Sequence, residues 1–406
     1  MHAEAHDHPV RLSSSDDLRR SRLTVFFRLL LAIPHLIWLL LWGLAVFLMA
    51  IANWLATLLG GTSPSSLHEF IARYIRYETH VAAYVSLTAN PFPGFTGEPG
   101  SYPIDVEFAP PAIQNRWKTG FRLILAIPAL ILNSAMSGGS SGGGGRSGSG
   151  GGSVGLLWVS AFLGWWAALF TGRMPEQLRD ANLYALRYGA QTGSYLLLIT
   201  ERYPDADPEL PPVPGQLRPH PITVSVEEDL RRSRLTVFFR LLLTIPHFVW
   251  LTLWSIVALF AAVGSWFVTL FRGTAPDPLH RFLARFLRYS THVYAYVTLV
   301  TNPFPGFTGL EGYPLDVQFA PPERQNRWKT GFRIVLVVPA LFLSGGVWGV
   351  LLTVAIFGWF TGLFVARMPR DLMRAGAYAF RYTAQVNSYL FLLTDRYPDA
   401  TPRISE

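Results

Sequence analysis

The 406-residue chain is 50% hydrophobic and only 15% charged, has no cysteine and carries a net charge of +8. Its apolar residues fall in long runs, a membrane-protein composition that argues against an ordinary soluble multidomain protein. The missing cysteine excludes disulfides, thiolate ligands and a cysteine nucleophile. No basic run with interleaved stacking aromatics accompanies the positive charge, so nucleic acid is not an expected partner.

Residues 17–31 recur unchanged as 229–243, and Asn90-Pro91-Phe92-Pro93-Gly94-Phe95 returns as 302–307, so the chain is a tandem duplication. A fainter echo inside each half carries Phe27-Arg28 onto Phe121-Arg122 and Arg240 onto Arg333. Four repeats result, 1–99, 100–208, 220–309 and 310–406, with a Pro-rich linker over 209–219. The expected fold is mainly α and polytopic. Each repeat is predicted to hold a short β-strand, a transmembrane helical hairpin and an amphipathic interfacial helix.

In chain order, the first seven residues carry Glu4, Asp7 and two histidines instead of the basic start of a cleaved signal peptide, so the first span should stay as an anchor. Proline-led segments at 8–12, 102–108, 220–226 and 313–319 alternate apolar and polar positions, which predicts four strands joining in one small cytoplasmic sheet. After the basic lead-in Arg19-Arg20-Ser21-Arg22, residues 29–59 are strongly polar only at His35 and Asn53, and 241–271 repeat the pattern. Since about 20 apolar residues span a bilayer, each run is predicted to hold two spans.

A third helix follows over 67–88. Its apolar positions keep helical spacing while Glu69, Arg73, Arg76 and His80 line another face, which predicts an interfacial helix. Arg28 and Arg76, Arg240 and Arg288, and Arg333 and Arg381 are each 48 apart, but Arg122 and Arg187 are 65 apart. The Gly/Ser tract 137–153 is 17 residues long and accounts for the excess as an insertion at a hairpin tip. Basic residues crowd the feet of every hairpin, so the positive-inside rule predicts eight spans with both termini cytoplasmic.

Two fourfold sets of side chains stand out. Arg28, Arg122, Arg240 and Arg333 each sit about one turn inside an apolar run, where an arginine must snorkel, pair or face a cavity. Arg76, Arg187, Arg288 and Arg381 lie on the third helices with His80, Gln191, His292 and Gln385, and with Tyr84, Tyr195, Tyr296 and Tyr389 two turns on. These are the lipid or ligand candidates and their polar partners, the tyrosines suiting packing or an aromatic belt. His35 and His247 complete two histidines per odd repeat, but no His-Glu-x-x-His helix supports a metal site. Pro34, Pro128, Pro246 and Pro339 are expected to bend the spans. No catalytic residue or cofactor is indicated.

The segments RLTVFFRLLLAIPH and KTGFRLILAIPA, the Tyr-Pro or His-Pro strand starts and the RYPDA ends resemble the bacterial integral-membrane family called domain of unknown function 4389, here in two tandem copies. That resemblance implies a membrane protein and imports no mechanism. The expected function is a non-enzymatic scaffold of the bacterial cytoplasmic membrane that holds anionic lipid or a partner protein. The alternative is an anion channel or parallel-repeat transporter with Arg28, Arg122, Arg240 and Arg333 near the path.

Overall fold

The computed structural model describes residues 8–138, 155–208, 220–227 and 229–403. The linker 209–219 and all of the Gly/Ser tract beyond Gly138 lie outside the described residues. The chain divides into two compact units, Met1–Asp205 and Ala206–Glu406. The first contains β1 (Val10–Ser14), α1 (Arg22–Gly60), α2 (Ser65–Val85), β2 (Ile104–Phe108), α3 (Arg116–Gly120), α4 (Arg122–Ser137), α5 (Leu156–Thr171) and α6 (Glu176–Leu196). The second contains β3 (Ile222–Val226), α7 (Arg234–Arg272), α8 (Asp277–Val297), β4 (Leu315–Phe319), α9 (Arg327–Gly331), α10 (Arg333–Phe364) and α11 (Arg370–Leu390).

The expected apolar hairpins are single helices. α1 and α7 each run 39 residues and α10 runs 32, with Pro34, Pro246 and Pro339 inside them. α1 contains no cluster of turn residues to reverse the chain and stops at Gly61, left-handed at φ 78° and accepting no Cβ without strain, while α10 stays helical through Ser344-Gly345-Gly346. The return arm is instead the polar helix α2, antiparallel to α1. Among the described residues three helices, α1, α7 and α10, are long and apolar enough to cross a membrane. In the second repeat the same length is divided between α4 and α5, 16 residues each. Gly138 and Gly155 abut, so the insertion interrupts one continuous rod and does not cap a hairpin tip.

The expected single sheet is two separate ones. β1 pairs with β2 and β3 with β4, both antiparallel. In the first unit the inner sheet face, with Val10 and Val106, packs on Ile71 and Ile75 of α2 and Ala190 of α6. Arg11 and Glu107 pair on the outer face and are exposed. α2 and α6 form the middle layer, and α1 with α4 and α5 forms the third. The third helices are therefore the central layer of each unit, packed between the sheet and the long apolar helices. Their amphipathic pattern is real, but part of the polar face holds the sheet.

Each unit is internally twofold. The Trp54 indole N–H donates to the Thr119 carbonyl at 3.0 Å, and Trp165, its counterpart in the next repeat, donates to Val25, the counterpart of Thr119, at 2.9 Å. Arg19 bridges Arg173 while Thr62 bridges Ile113, a second pair of swapped equivalents. Such reciprocal contacts define an isologous twofold relation. Because one end of α1 meets the end of α5 and the other meets α3, α1 runs antiparallel to the α4–α5 rod, and the local twofold axis is perpendicular to both. In the second unit, Arg234 donates to the Phe364 carbonyl at 3.2 Å and Trp266 to Thr330 at 2.8 Å, which orients α7 and α10 in the same way.

Candidate functional site

The arginines inside the apolar runs are fully internal. Arg28 Nη1 donates to the Tyr84 and Ala89 carbonyls at 2.6 and 2.9 Å, Nη2 donates to Asn90 at 3.1 Å, and the guanidinium lies 4.4 Å above the Tyr84 ring. Arg240 repeats this on Tyr296, Thr301 and Asn302. Arg122 binds Thr200 and Gln114 over Tyr195. Arg333 binds Tyr389, Thr394, Gln325 and Asp395 over Tyr389. All four are 1% exposed.

Their acceptors are the carbonyls left over at the C-terminal ends of α2, α6, α8 and α11. The chain turns there through left-handed leucines, Leu87, Leu198, Leu299 and Leu392, at φ 60° to 64°. A cation at that end offsets the helix dipole and satisfies orphan carbonyls. The partner is thus the third helix. Each guanidinium group is enclosed within its own unit.

The second arginine set also serves the fold. Arg76 Nε donates to the Val106 carbonyl at 3.0 Å and lies 3.1 Å from Asp105, which also accepts from His80 Nε2 at 3.2 Å. Arg288, Asp316 and His292 repeat the arrangement at 3.1 and 3.2 Å. Burial pushes the Asp105 carboxyl up, but hydrogen bonds from His80, Gly100 and Val106, with Arg76 alongside, hold it below the usual carboxylate value. Asp316 is held down in the same way by His292, Gly312 and Arg288. In the even repeats Gln191 donates to Val10 and Gln385 to Ile222, both at 3.3 Å, while each side-chain carbonyl accepts from a backbone N–H. Arg381 donates to the Asp399 and Thr401 carbonyls, and Arg187 lies 5.7 Å from the Tyr184 ring.

Tyr84, Tyr195, Tyr296 and Tyr389 are buried, which makes them packing residues and not an aromatic belt. His35 and His247 are fully buried, bonded to the Tyr77 and Tyr289 hydroxyls at 2.7 and 2.8 Å, and stacked on Phe95 and Phe307 of the Pro-rich turns. Among the described residues no three His, Cys, Asp or Glu side chains gather to hold a metal ion.

Residue-type reasoning missed Asp105 and Asp316. The signal was the repeated Tyr-Pro-x-Asp-Val at the start of β2 and β4, where a carboxylate stands in an otherwise apolar strand. It also read the outward-facing cations of the basic lead-ins as topology signals and not as site candidates. Arg19, Arg22 and Arg173 are exposed together where α1 begins and α5 ends, beside an open basin of about 710 Å³ lined in part by Arg19, Thr171 and Arg173. At the other end of α1, Arg116 and Lys118 flank Trp117, which is 78% exposed. Arg231, Arg234 and Arg367 are exposed in the second unit, and Arg327, Trp328 and Lys329 repeat the second cluster.

The comparisons agree with the fourfold repetition. The family described as Domain of unknown function (DUF4389) matches residues 22–96, 154–206, 234–308 and 327–400, four segments where two tandem copies were expected. One match therefore corresponds to one long apolar helix with its polar return helix, and the second begins after the insertion. No curated protein and no solved structure matches the chain. With matched segments covering most of its length in all four repeats, the chain belongs to the DUF4389 family.

Proposed function

We propose that this is a non-enzymatic protein of the bacterial cytoplasmic membrane, with both termini on the cytoplasmic side, that holds anionic lipid headgroups on an exposed basic rim. The observation that carries the reading is the border between two kinds of surface. α1 and α7 expose leucine, isoleucine and phenylalanine along their whole length, and the ends of those helices carry exposed Arg19, Arg22 and Arg173 or Arg231, Arg234 and Arg367. Apolar patches of that extent mark a contact surface, and cations beside them suit phosphate at the membrane boundary. The buried arginines support the fold in this reading, because their Nη groups are already engaged by carbonyls. That engagement also weighs against an anion path lined by Arg28, Arg122, Arg240 and Arg333.

The test is the lipid content of purified protein. Changing Arg19, Arg22 and Arg173 together with Arg231, Arg234 and Arg367 to Gln should lower the co-purifying anionic lipid severalfold with only a small fall in unfolding temperature, since Arg22 and Arg234 also donate to the Phe170 and Phe364 carbonyls. Lipid content indifferent to all six changes would remove the proposal.

A further inference from the structure

The axis of each unit's twofold symmetry has one polar and one apolar pole. In the first unit it passes through the centre of the β1–β2 sheet, where Leu12 faces its own counterpart Val106, then between α2 and α6, and leaves between α1 and the α4–α5 rod. Both long elements are perpendicular to it. We propose that each unit seats in a single leaflet with this axis along the membrane normal, so that its long apolar helices lie in the membrane plane among phospholipid acyl chains and its sheet stands in water. The inference rests on the membrane reading above and specifies its geometry.

Length is the first argument. Exposure of α1 is as great at its ends as in the middle, 69% at Leu23, 75% at Leu40 and 74% at Leu59. That stretch is about 54 Å long at about 1.5 Å per residue, against a hydrocarbon core of about 30 Å. Immersing all of it by crossing needs a tilt of about 55°, outside the roughly 0–40° that spanning helices adopt. α7 repeats the problem from Leu235 to Phe271.

The sheet is the second. If α1 and α4–α5 stood upright, the perpendicular axis would place the two-stranded sheet at bilayer mid-depth. Its outer face carries exposed Arg11, Ser13 and Glu107, and both of its strands are edges. Unpaired backbone groups and charges facing hydrocarbon at that depth are prohibitive. With the axis along the normal, the same face is in water.

The third is charge. Cations stand at both ends of α1: Arg19, Arg22 and Arg173 at one, and Arg116 and Lys118 with the exposed Trp117 at the other. One crossing helix would send one of these clusters to each side, whereas an in-plane helix keeps both at the headgroups of the cytoplasmic leaflet. α1 has no polar face of its own to float on, unlike a solitary interfacial helix. Its stripe of Arg28, His35, Asn53 and Thr57 is turned inward, and α2, α6 and the sheet supply the water-facing side.

The absence of native cysteine allows a direct test in the full chain. L23C, L30C, L41C, L48C and L59C all lie on the outward side of α1 and can each carry a nitroxide in vesicles containing anionic phospholipid. Oxygen against nickel-chelate accessibility then reports depth. The expected result is five depths within about 5 Å of one another, all beneath the headgroups of one leaflet. A profile deepest at residue 41 and rising by about 15 Å to headgroup level at both ends would mean crossing; it would overturn this inference and leave the membrane reading intact. Water accessibility at all five sites would overturn both.

Discussion

Leu12 and Val106 stand directly opposite each other across the first sheet, and they occupy the same position in their respective repeats. Val224 and Val317 do the same in the second. A pair of equivalent residues facing each other marks where a twofold axis pierces the strands, so the sheet is the seam along which two repeats close into one unit. The two short strands are too small to be stable alone. They persist because their inner face covers α2 and α6.

Removing a buried arginine and removing an exposed one should have opposite signatures. R28M leaves the end of α2 uncapped and is expected to cost on the order of 3 kcal/mol, with R28K recovering only part of it because a single ammonium does not reproduce the fork of donors. R19Q should move stability by no more than about 0.5 kcal/mol. Thermal unfolding in detergent separates them, and equal effects would show that Arg28 is not the cap described.

Asp105 joins the sheet to α2. D105N leaves Arg76 and His80 without their shared carboxylate and should destabilise the first unit by about 3 kcal/mol, with D316N doing the same to the second. Amide exchange should accelerate in Ile104–Phe108 of D105N before it does in α5. Uniform acceleration across the unit would count against a local role.

Acid sensitivity should arrive in two stages. His8 and His220 are pushed down by burial to about 4, so the unfolded chain takes up their protons first, and stability should fall as pH drops from about 6.5 to about 4. Asp105 and Asp316 are held below the ordinary carboxylate value, so their contribution is complete above that value and is lost at still lower pH as they protonate in the folded state. H8N/H220N should lessen the first stage, to which His68 and His280, also pushed down by burial, contribute, and leave the second. An unchanged slope between pH 6.5 and 4 would contradict the assignment.

The insertion should be dispensable. Deleting residues 139–155 joins α4 directly to α5 in the register of α10, and closing that loop should leave stability unchanged or raise it by no more than about 2 to 3 kcal/mol. Comparable helix content and unfolding temperature in the shortened chain are expected; loss of folding would show that the tract has a structural role.

Much of this architecture was legible in the residues. The identical blocks around Arg28 and Arg240 exposed the repeats, and alternation located all four strands within two residues. The arginines deep in apolar runs had to snorkel, pair or face a cavity, and the partner, a helix end 56 or more residues away, could be found only in three dimensions. The misreading came from counting apolar residues by bilayer thickness. A 39-residue run reads as two crossings if crossing is assumed, yet its register of Val25, Arg28, Ala32, His35 and Val46 keeps one face throughout, as one helix does. The burial of Arg76 and His80 was hidden because their partner Asp105 belongs to the next repeat.

The central claim is that the apolar helices meet lipid side-on. The most direct measurement is a density map of the full chain in lipid nanodiscs, with the orientation of α1 read against the disc plane. α1 and the α4–α5 rod should lie parallel to that plane at the level of one leaflet, with the β1–β2 sheet outside the disc. A disc encircling α1 midway between Leu23 and Leu59, with the two ends on opposite faces, would contradict it.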